Sequence, residues 1–167
     1  MFEIEQKYKI RDLKALKAKL EKIAAVKISR VDEYNQLFDL RGSLKKNGKT
    51  LRLRLNQPGN KAVLTYKGPL MKGKYKKRVE IETPVDHDGM QKILEALGYV
   101  CRFEYSKKRI TYRYKKTIIT IDTLNNKDLY CELEGTVKGI DALTALLGFK
   151  KEDREERSYP QILRGKR

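Results

Sequence analysis

Charged and apolar residues alternate along several strand-like segments of this 167-residue chain, which predicts strands with one charged face and one apolar face. The first segment reads FEIEQKYKI, with a charged residue at every second position from Glu3 to Lys9. Side chains at i and i+2 of an extended strand lie on the same face of a sheet. Such a strand has one wholly charged face. Taken alone, it is also typical of a solvated face of an antiparallel sheet.

The alternation recurs along the chain, which makes a merely solvated face a poor account of all the segments together. It is found again in LRLRL, LTYKG, RVEIE, KKRIT, TIITIDT and CELEG. Arginine recurs on these faces, and its planar guanidinium suits bidentate contacts with phosphate. Acidic residues come in pairs at i and i+2, and clusters of oxygen ligands suit Mg²⁺ or Mn²⁺. The pattern predicts a site for a substrate with several adjacent phosphates.

Three further segments carry apolar residues at helical spacing. They read RDLKALKAKLEKIAAV, DHDGMQKILEALGY and GIDALTALLGF, with predicted apolar stripes that include Ile93, Leu97 and Leu146. About eight strands and a few helices, joined by short turns such as RGSLKKNGK, predict an antiparallel-rich α+β fold in which the helices cover the apolar faces of the strands. Eight strands are enough for a small closed barrel. No linker divides the chain, so we expect a single domain over residues 1–167.

The net charge of +17 predicts an anionic partner, which nucleic acid, polyphosphate, a nucleoside triphosphate or an anionic membrane surface would each satisfy. No apolar run approaches the roughly 20 residues of a membrane span, and the N-terminus lacks the apolar core of a signal peptide. Cys101 and Cys131 are isolated, without metal-ligand spacing, which favours a reduced, cytoplasmic protein. With His87 as the only histidine, the sequence argues against histidine catalysis and zinc binding.

The accumulated motifs resemble a known family. EIEQK resembles the ExExK signature of the CYTH superfamily, the triphosphate tunnel metalloenzymes, and DEYNQLFD, LTYKGP, KKRVEIE, CELEG and EERSYPQIL follow in the family's order. The match covers essentially the whole chain and is nearest to the branch that contains the class IV adenylyl cyclases. It implies a closed eight-stranded antiparallel β-barrel, the triphosphate tunnel, with α-helices packed outside it and Mg²⁺ or Mn²⁺ as cofactor.

The resemblance also implies roles for individual residues, whose side chains we expect to point into one lumen. The expected catalytic residues are Lys7, Glu5 and Arg54. The residues expected to bind the triphosphate are Lys7, Lys9, Arg52, Arg54, Lys67, Arg78, Lys107 and Arg109. The expected metal ligands are Glu3, Glu5, Glu80, Asp122, Glu132 and Glu134. Glu82 matches a further acidic position, with a rim or ion-pair role as the alternative.

The expected activity is metal-dependent hydrolysis of inorganic triphosphate or of a nucleoside or other organic triphosphate. One alternative is a class IV adenylyl cyclase that converts ATP to 3′,5′-cyclic AMP and pyrophosphate. Another is a non-catalytic module that binds polyphosphate or RNA through surface lysines such as those in KALKAKLEK. Because the chain has no tryptophan, thiamine triphosphate is a less favoured substrate. The segment LNNKDLYCELEG also departs from the glycine-containing turn of many relatives. We expect no membrane partner and either a monomer or a homodimer.

Overall fold

A computed structural model of the chain describes residues 2–165. The strands are β1 (Phe2–Lys9), β2 (Val26–Asp39), β3 (Thr50–Gln57), β4 (Lys61–Lys67), β5 (Lys76–Val85), β6 (Val100–Tyr114), β7 (Thr117–Leu124) and β8 (Asp128–Glu134). The helices are α1 (Leu13–Lys22), α2 (Ser43–Lys46), α3 (His87–Ala96), α4 (Val137–Leu147) and α5 (Tyr159–Arg164), with a 3₁₀ turn at Lys151–Asp153.

The eight strands form a closed antiparallel barrel in the order β1-β5-β4-β3-β2-β6-β7-β8. The α+β class and the closed eight-stranded barrel that the sequence predicted are thereby confirmed. Strands β2 and β6 begin earlier than the sequence pattern indicated, and α2 lies within a segment predicted to be a turn. No helix within residues 2–165 has the length and apolar character needed to cross a membrane.

The chain divides into two compact units, and the first contains Val31–Lys72 and Lys77–Ser106 together with Glu3. Its core is built around Phe38, Leu53 and Leu94, where α3 packs on the apolar faces of β3 and β4. Helix α3 begins at Asp86, whose carboxylate accepts a hydrogen bond from the backbone N–H of Gly89 at 2.7 Å. This N-terminal cap satisfies one of the donors that a helix leaves free.

The second unit contains Ile4–Arg30, Gly73–Lys76 and the chain from Lys107 onward. Its core packs α1 and α4 on the apolar faces of β1, β7 and β8; Leu20, Cys131 and Ile140 are at most 1% exposed. Helix α4 ends at Gly148, whose φ of 72° lies in the left-handed region that glycine adopts without strain. The apolar stripes therefore cover one face of the strands in this unit, as the helical spacing predicted.

Several apolar residues that the sequence placed against a core are exposed. On the helices they are Ile93 (52%), Leu97 (64%) and Leu146 (50%), which lie at the margins of the predicted stripes. On β5, Ile81 is 58% exposed although it lies on the apolar face. Helix α3 packs on β3 and β4 and leaves the middle of β5 uncovered. The prediction that helices cover the apolar face of every strand is therefore wrong for β5.

Candidate functional site

The charged face of the first unit follows from the register of its strands. Arg52 of β3 lies opposite Thr65 of β4, and Thr65 lies opposite Glu82 of β5. Residues directly opposite each other on antiparallel strands point to the same side of the sheet. The neighbouring Leu53 points the other way, into the core against α3. Helix α3 thus packs on the face of this sheet that is opposite to the arginines.

Arg52 and Arg54 converge on a single carboxylate. The Nη2 atoms of Arg52 and Arg54 lie 3.2 and 3.4 Å from Oε1 of Glu82, and the Thr65 hydroxyl donates to the same oxygen at 2.7 Å. Arg54 also lies 3.8 Å from a carboxylate oxygen of Glu33, a buried residue of β2. Glu82 is thus an ion-pair residue that holds two guanidinium groups beside each other.

Lys67 is the centre of a second group on the same unit. Its ammonium lies 3.1 Å from both carboxylate oxygens of Glu3 and 2.6 Å from Oε2 of Glu80. The Nε of Arg78 donates to Glu3 at 3.3 Å. Burial, together with a hydrogen bond shared with Glu80, raises the pKa of the Glu3 carboxyl. Two carboxylates from different strands therefore converge on one cation.

Asp122 organises the charged face of the second unit. It is fully buried and accepts hydrogen bonds from Lys107 at 2.9 Å, from the Nε of Arg109 at 2.7 Å and from the Tyr159 hydroxyl at 2.6 Å. The guanidinium of Arg109 reaches onward to Glu132 at 2.6 Å. Both oxygens of Asp122 are engaged, so in this arrangement it fixes Lys107 and Arg109. Its role as a metal ligand stays a prediction.

Lys7 is enclosed although it is charged. Its side chain is 2% exposed, and its ammonium donates to the carbonyl of Arg157 at 2.9 Å and lies 3.5 Å from Glu132. The same ammonium lies 3.8 Å from the centre of the Tyr159 ring, a cation–π contact. Burial and the charges of Asp122 and Glu132 raise the pKa of Tyr159 well above its ordinary value. Tyr159 is therefore a neutral hydrogen-bond donor in this cluster.

The remaining predicted residues, Glu5, Lys9 and Glu134, lie on β1 and β8. Glu5 is half-buried and lies opposite Glu134, which is exposed. Lys9 follows Lys7 on the same face and is exposed. The predicted site residues are thus placed on two charged faces, one in each unit. That these faces line one lumen stays a prediction.

Several polar residues of these faces were not among the predicted site residues. Tyr159 lies in the segment EERSYPQIL, for which the sequence predicted no chemical role. Glu33 and Asn35 lie on β2 in a segment that also had no assigned chemistry. Lys76 is the fourth polar residue of this kind. Burial lowers the pKa of its ammonium, and the positive charge of Lys7 lowers it further. Only burial and cross-strand contacts distinguish these residues from ordinary surface residues, and a sequence pattern reports neither.

Comparison with known proteins places the chain in a family. The CYTH domain model matches residues 1–159. The chain is a member of the CYTH family. A protein of Methanocaldococcus jannaschii named "putative adenylate cyclase" is 29% identical to this CYTH protein over 143 residues, which are 84% of this chain and 81% of the relative. The family that the sequence motifs resembled is thereby confirmed.

Solved structures agree with this assignment. The X-ray structure of a "putative adenylate cyclase" from Vibrio parahaemolyticus has a TM-score of 0.87, 25% identity and 98% coverage of both chains. A "putative adenylyl cyclase" from Hippeastrum, described with a dominant triphosphatase activity, has a TM-score of 0.77 and 20% identity; the match covers 99% of this CYTH chain and 96% of that one. At this identity the Hippeastrum structure supports the fold alone.

The carboxylates of this CYTH protein can be tested for their fit to a divalent cation. Within residues 2–165, no three acidic, histidine or cysteine side chains are grouped as a ready metal site. Glu3 and Glu80 nevertheless converge on the ammonium of Lys67, which shows that their oxygens can share one cation. A ligand set of carboxylate oxygens, with no sulfur or nitrogen donor, is the kind that Mg²⁺ and Mn²⁺ prefer. The donor chemistry fits a hard divalent ion.

Proposed function

We propose that this CYTH protein is a divalent-metal-dependent triphosphatase that binds a triphosphate group and hydrolyses it. The observation that carries the proposal is the set of buried or half-buried arginine and lysine side chains, each held by carboxylates. In the first unit these cations are Arg52, Arg54, Lys67 and Arg78. Guanidinium groups fixed by ion pairs need little reordering when a phosphate replaces the carboxylate.

Charge balance explains why a metal is expected with the substrate. The four cations of the first unit face four carboxylates, those of Glu3, Glu33, Glu80 and Glu82. A triphosphate would add several negative charges to a site that is already neutral. A divalent cation held by carboxylates such as Glu3 and Glu80 would supply the missing charge and activate a water molecule. Residues of this chain would hold the phosphates in line and exclude bulk water.

In the second unit, the proposed contributions come from Lys7, Lys107 and Arg109. Each is anchored by a carboxylate, and Tyr159 holds Asp122 in place. We propose that their N–H donors stabilise charge that develops on the phosphate oxygens during transfer. Anchoring lowers the entropic cost of placing long side chains correctly. Arg54 has the corresponding role on the first unit.

Adenylyl cyclase activity is the second candidate, and the names of the Methanocaldococcus and Vibrio relatives favour it. Hydrolysis uses water on the terminal phosphate, whereas cyclisation uses a ribose hydroxyl on the α-phosphate and releases pyrophosphate. The products discriminate the two. Incubation with ATP and Mg²⁺ or Mn²⁺ should release orthophosphate if the proposal is correct. If pyrophosphate and cyclic AMP are the main products, the triphosphatase proposal is wrong and the protein is an adenylyl cyclase.

The metal requirement is tested by Glu3→Gln, which keeps the shape of the side chain but removes the charge that a hard cation needs. We expect loss of Mg²⁺- and Mn²⁺-dependent tripolyphosphate turnover with the folded circular dichroism spectrum retained. Glu21→Gln, on an exposed position near the end of α1, is the control and should keep full turnover. Undiminished activity of Glu3→Gln at saturating Mg²⁺ or Mn²⁺ would rule out Glu3 as a metal ligand.

A second variant tests the charged face of the second unit by itself. Lys7→Met should strongly reduce tripolyphosphate turnover, because it removes an enclosed ammonium that we propose contacts the phosphate oxygens. Undiminished turnover of Lys7→Met would exclude this role for Lys7.

A further inference from the structure

The charged face of the first unit changes character along its strands. One row of opposed residues is Arg52, Thr65 and Glu82, which carries charge. The next row, two residues along, places Asn35 of β2 opposite Arg54, followed by Val63 and Pro84. Beyond it, Glu33 lies opposite Asn56, and Asn56 opposite Lys61. The rows beyond Arg52 thus combine charged side chains with two amides, Asn35 and Asn56, and two apolar side chains, Val63 and Pro84.

Asn35 stands out in this region because its amide is buried without a partner. The residue is 0% exposed, and neither its Nδ2 nor its Oδ1 has a hydrogen-bond partner within residues 2–165. The Oδ1 of Asn56 is buried in the same way. A buried polar atom without a hydrogen bond costs free energy, so native proteins rarely keep one unless water or a ligand satisfies it.

The adjacent residue of β2 shows that the strand can satisfy a buried amide. Gln36, on the opposite face, is 6% exposed and is contacted by Nε2 of His87 at 3.1 Å and by Gln91 at 3.5 Å. Asn35 has no side-chain hydrogen-bond partner among the described residues, and Arg54, opposite it on β3, directs its guanidinium to Glu33 and Glu82. The donor and the acceptor of Asn35 are therefore buried and unsatisfied on the face that carries the arginines.

We propose that Asn35, assisted by Asn56, binds a nucleobase and selects a nucleoside triphosphate over inorganic triphosphate. This inference rests on the proposed function, because the triphosphate must first occupy the arginines. A side-chain amide offers a donor beside an acceptor, the complement of the amino group and ring nitrogen of adenine. Val63 and Pro84, in the same row, supply apolar surface for the flat ring. Asn35 lies opposite Arg54 and one row beyond Arg52, and Asn56 lies one row further, so the base lies beside Arg54 and extends away from Arg52.

The test compares dissociation constants for ATP, purine riboside triphosphate and tripolyphosphate, measured with Ca²⁺ by titration calorimetry. Purine riboside triphosphate has the sugar and ring of ATP but lacks the amino group. The variant is Asn35→Leu, close in size and without hydrogen-bonding groups, and Asn56→Ala at a half-buried position is the second variant. Gln36→Leu on the opposite face of the same strand is the matched control.

We expect Asn35→Leu to weaken ATP binding by about tenfold, the effect of losing one or two hydrogen bonds, with tripolyphosphate weakened less than twofold. Asn56→Ala should show the same selectivity with a smaller loss. The preference of the wild type for ATP over purine riboside triphosphate should disappear in Asn35→Leu and persist in Gln36→Leu. If Asn35→Leu does not fold, the base-binding role is judged from Asn56→Ala, by whether this variant loses more affinity for ATP than for tripolyphosphate.

Other outcomes separate this inference from the proposed function. Equal weakening of ATP and tripolyphosphate in Asn35→Leu, or no weakening of either, would overturn the base-binding role while leaving a triphosphate site in place. Equal weakening of ATP and purine riboside triphosphate would overturn recognition of the base edge in favour of a sugar contact. If the wild type binds neither ATP nor tripolyphosphate, the proposed function itself fails.

Discussion

Replacing Asp122 by asparagine should destabilise the protein more than any other conservative change on its charged faces. The carboxylate is fully buried, and it neutralises Lys107, whose side chain is 1% exposed, and Arg109, which is 17% exposed. Asparagine keeps the size of the side chain but removes the charge, so two enclosed cations lose a counter-ion. Breaking a buried ion pair in this way typically costs about 3–5 kcal/mol of unfolding free energy.

Tyr159→Phe is the reference variant with which the loss of unfolding free energy in Asp122→Asn is compared. It removes one hydrogen bond to the same carboxylate, 2.6 Å long, and leaves both cations paired. A hydrogen bond to a charged group contributes about 1.5–3 kcal/mol, so the loss should be smaller than that of Asp122→Asn. The exposed pair of Lys74 and Asp141 provides the control, because water and salt screen it. Asp141→Asn should have the smallest effect of the three.

The assay is urea unfolding at pH 7, followed by circular dichroism, with the slope compared between variants to verify that the same surface is exposed. The expected order of destabilisation is Asp122→Asn, then Tyr159→Phe, then Asp141→Asn. If Asp122→Asn costs less than Tyr159→Phe, the buried charge does not hold the cluster together. Equal costs for Asp122→Asn and Asp141→Asn would refute the argument from burial.

Further predictions concern binding, pH and stability. Arg54→Ala should weaken tripolyphosphate binding by at least tenfold through loss of a charge-assisted contact, whereas Lys17→Ala, exposed on α1, should matter little at either low or high salt; equal losses would indicate diffuse charge. Because burial raises the pKa of Glu3, turnover should fall on acidification at a pH above the ordinary pKa of glutamate, and a rate maintained down to that pH would contradict this role. Gly148→Ala should cost about 1 kcal/mol in urea unfolding, since φ is 72° there, and an unchanged midpoint would count against it. Burial raises the pKa of Cys131 well above its ordinary value, so a thiol reagent should label it only in urea; rapid labelling of the folded protein would contradict that burial.

Much of the architecture could be predicted from local patterns. The alternation in LRLRL determines that Arg52 and Arg54 share a face whatever the strand pairs with, because successive side chains of a strand point to opposite sides. The helical spacing around Leu16 and Leu20 likewise determines which side of α1 is buried. The closed barrel and the candidate site residues came from the ordered motifs, whose resemblance to the CYTH family the family match confirms.

Which side chains form hydrogen bonds and ion pairs with one another was determined only by the tertiary structure. Asp122 meets Tyr159 across 37 positions of sequence, and Lys67 meets Glu3 across 64. Such contacts depend on strand order, register and the path of the C-terminal segment, which no i, i+2 pattern encodes. Asn35 and Gln36 are adjacent amides in the sequence, yet within residues 2–165 only the side chain of Gln36 has hydrogen-bond partners, because α3 covers its face of β2. Burial is a property of what packs against a residue, so the unpartnered amide became visible only when the sheet and its helix were in place.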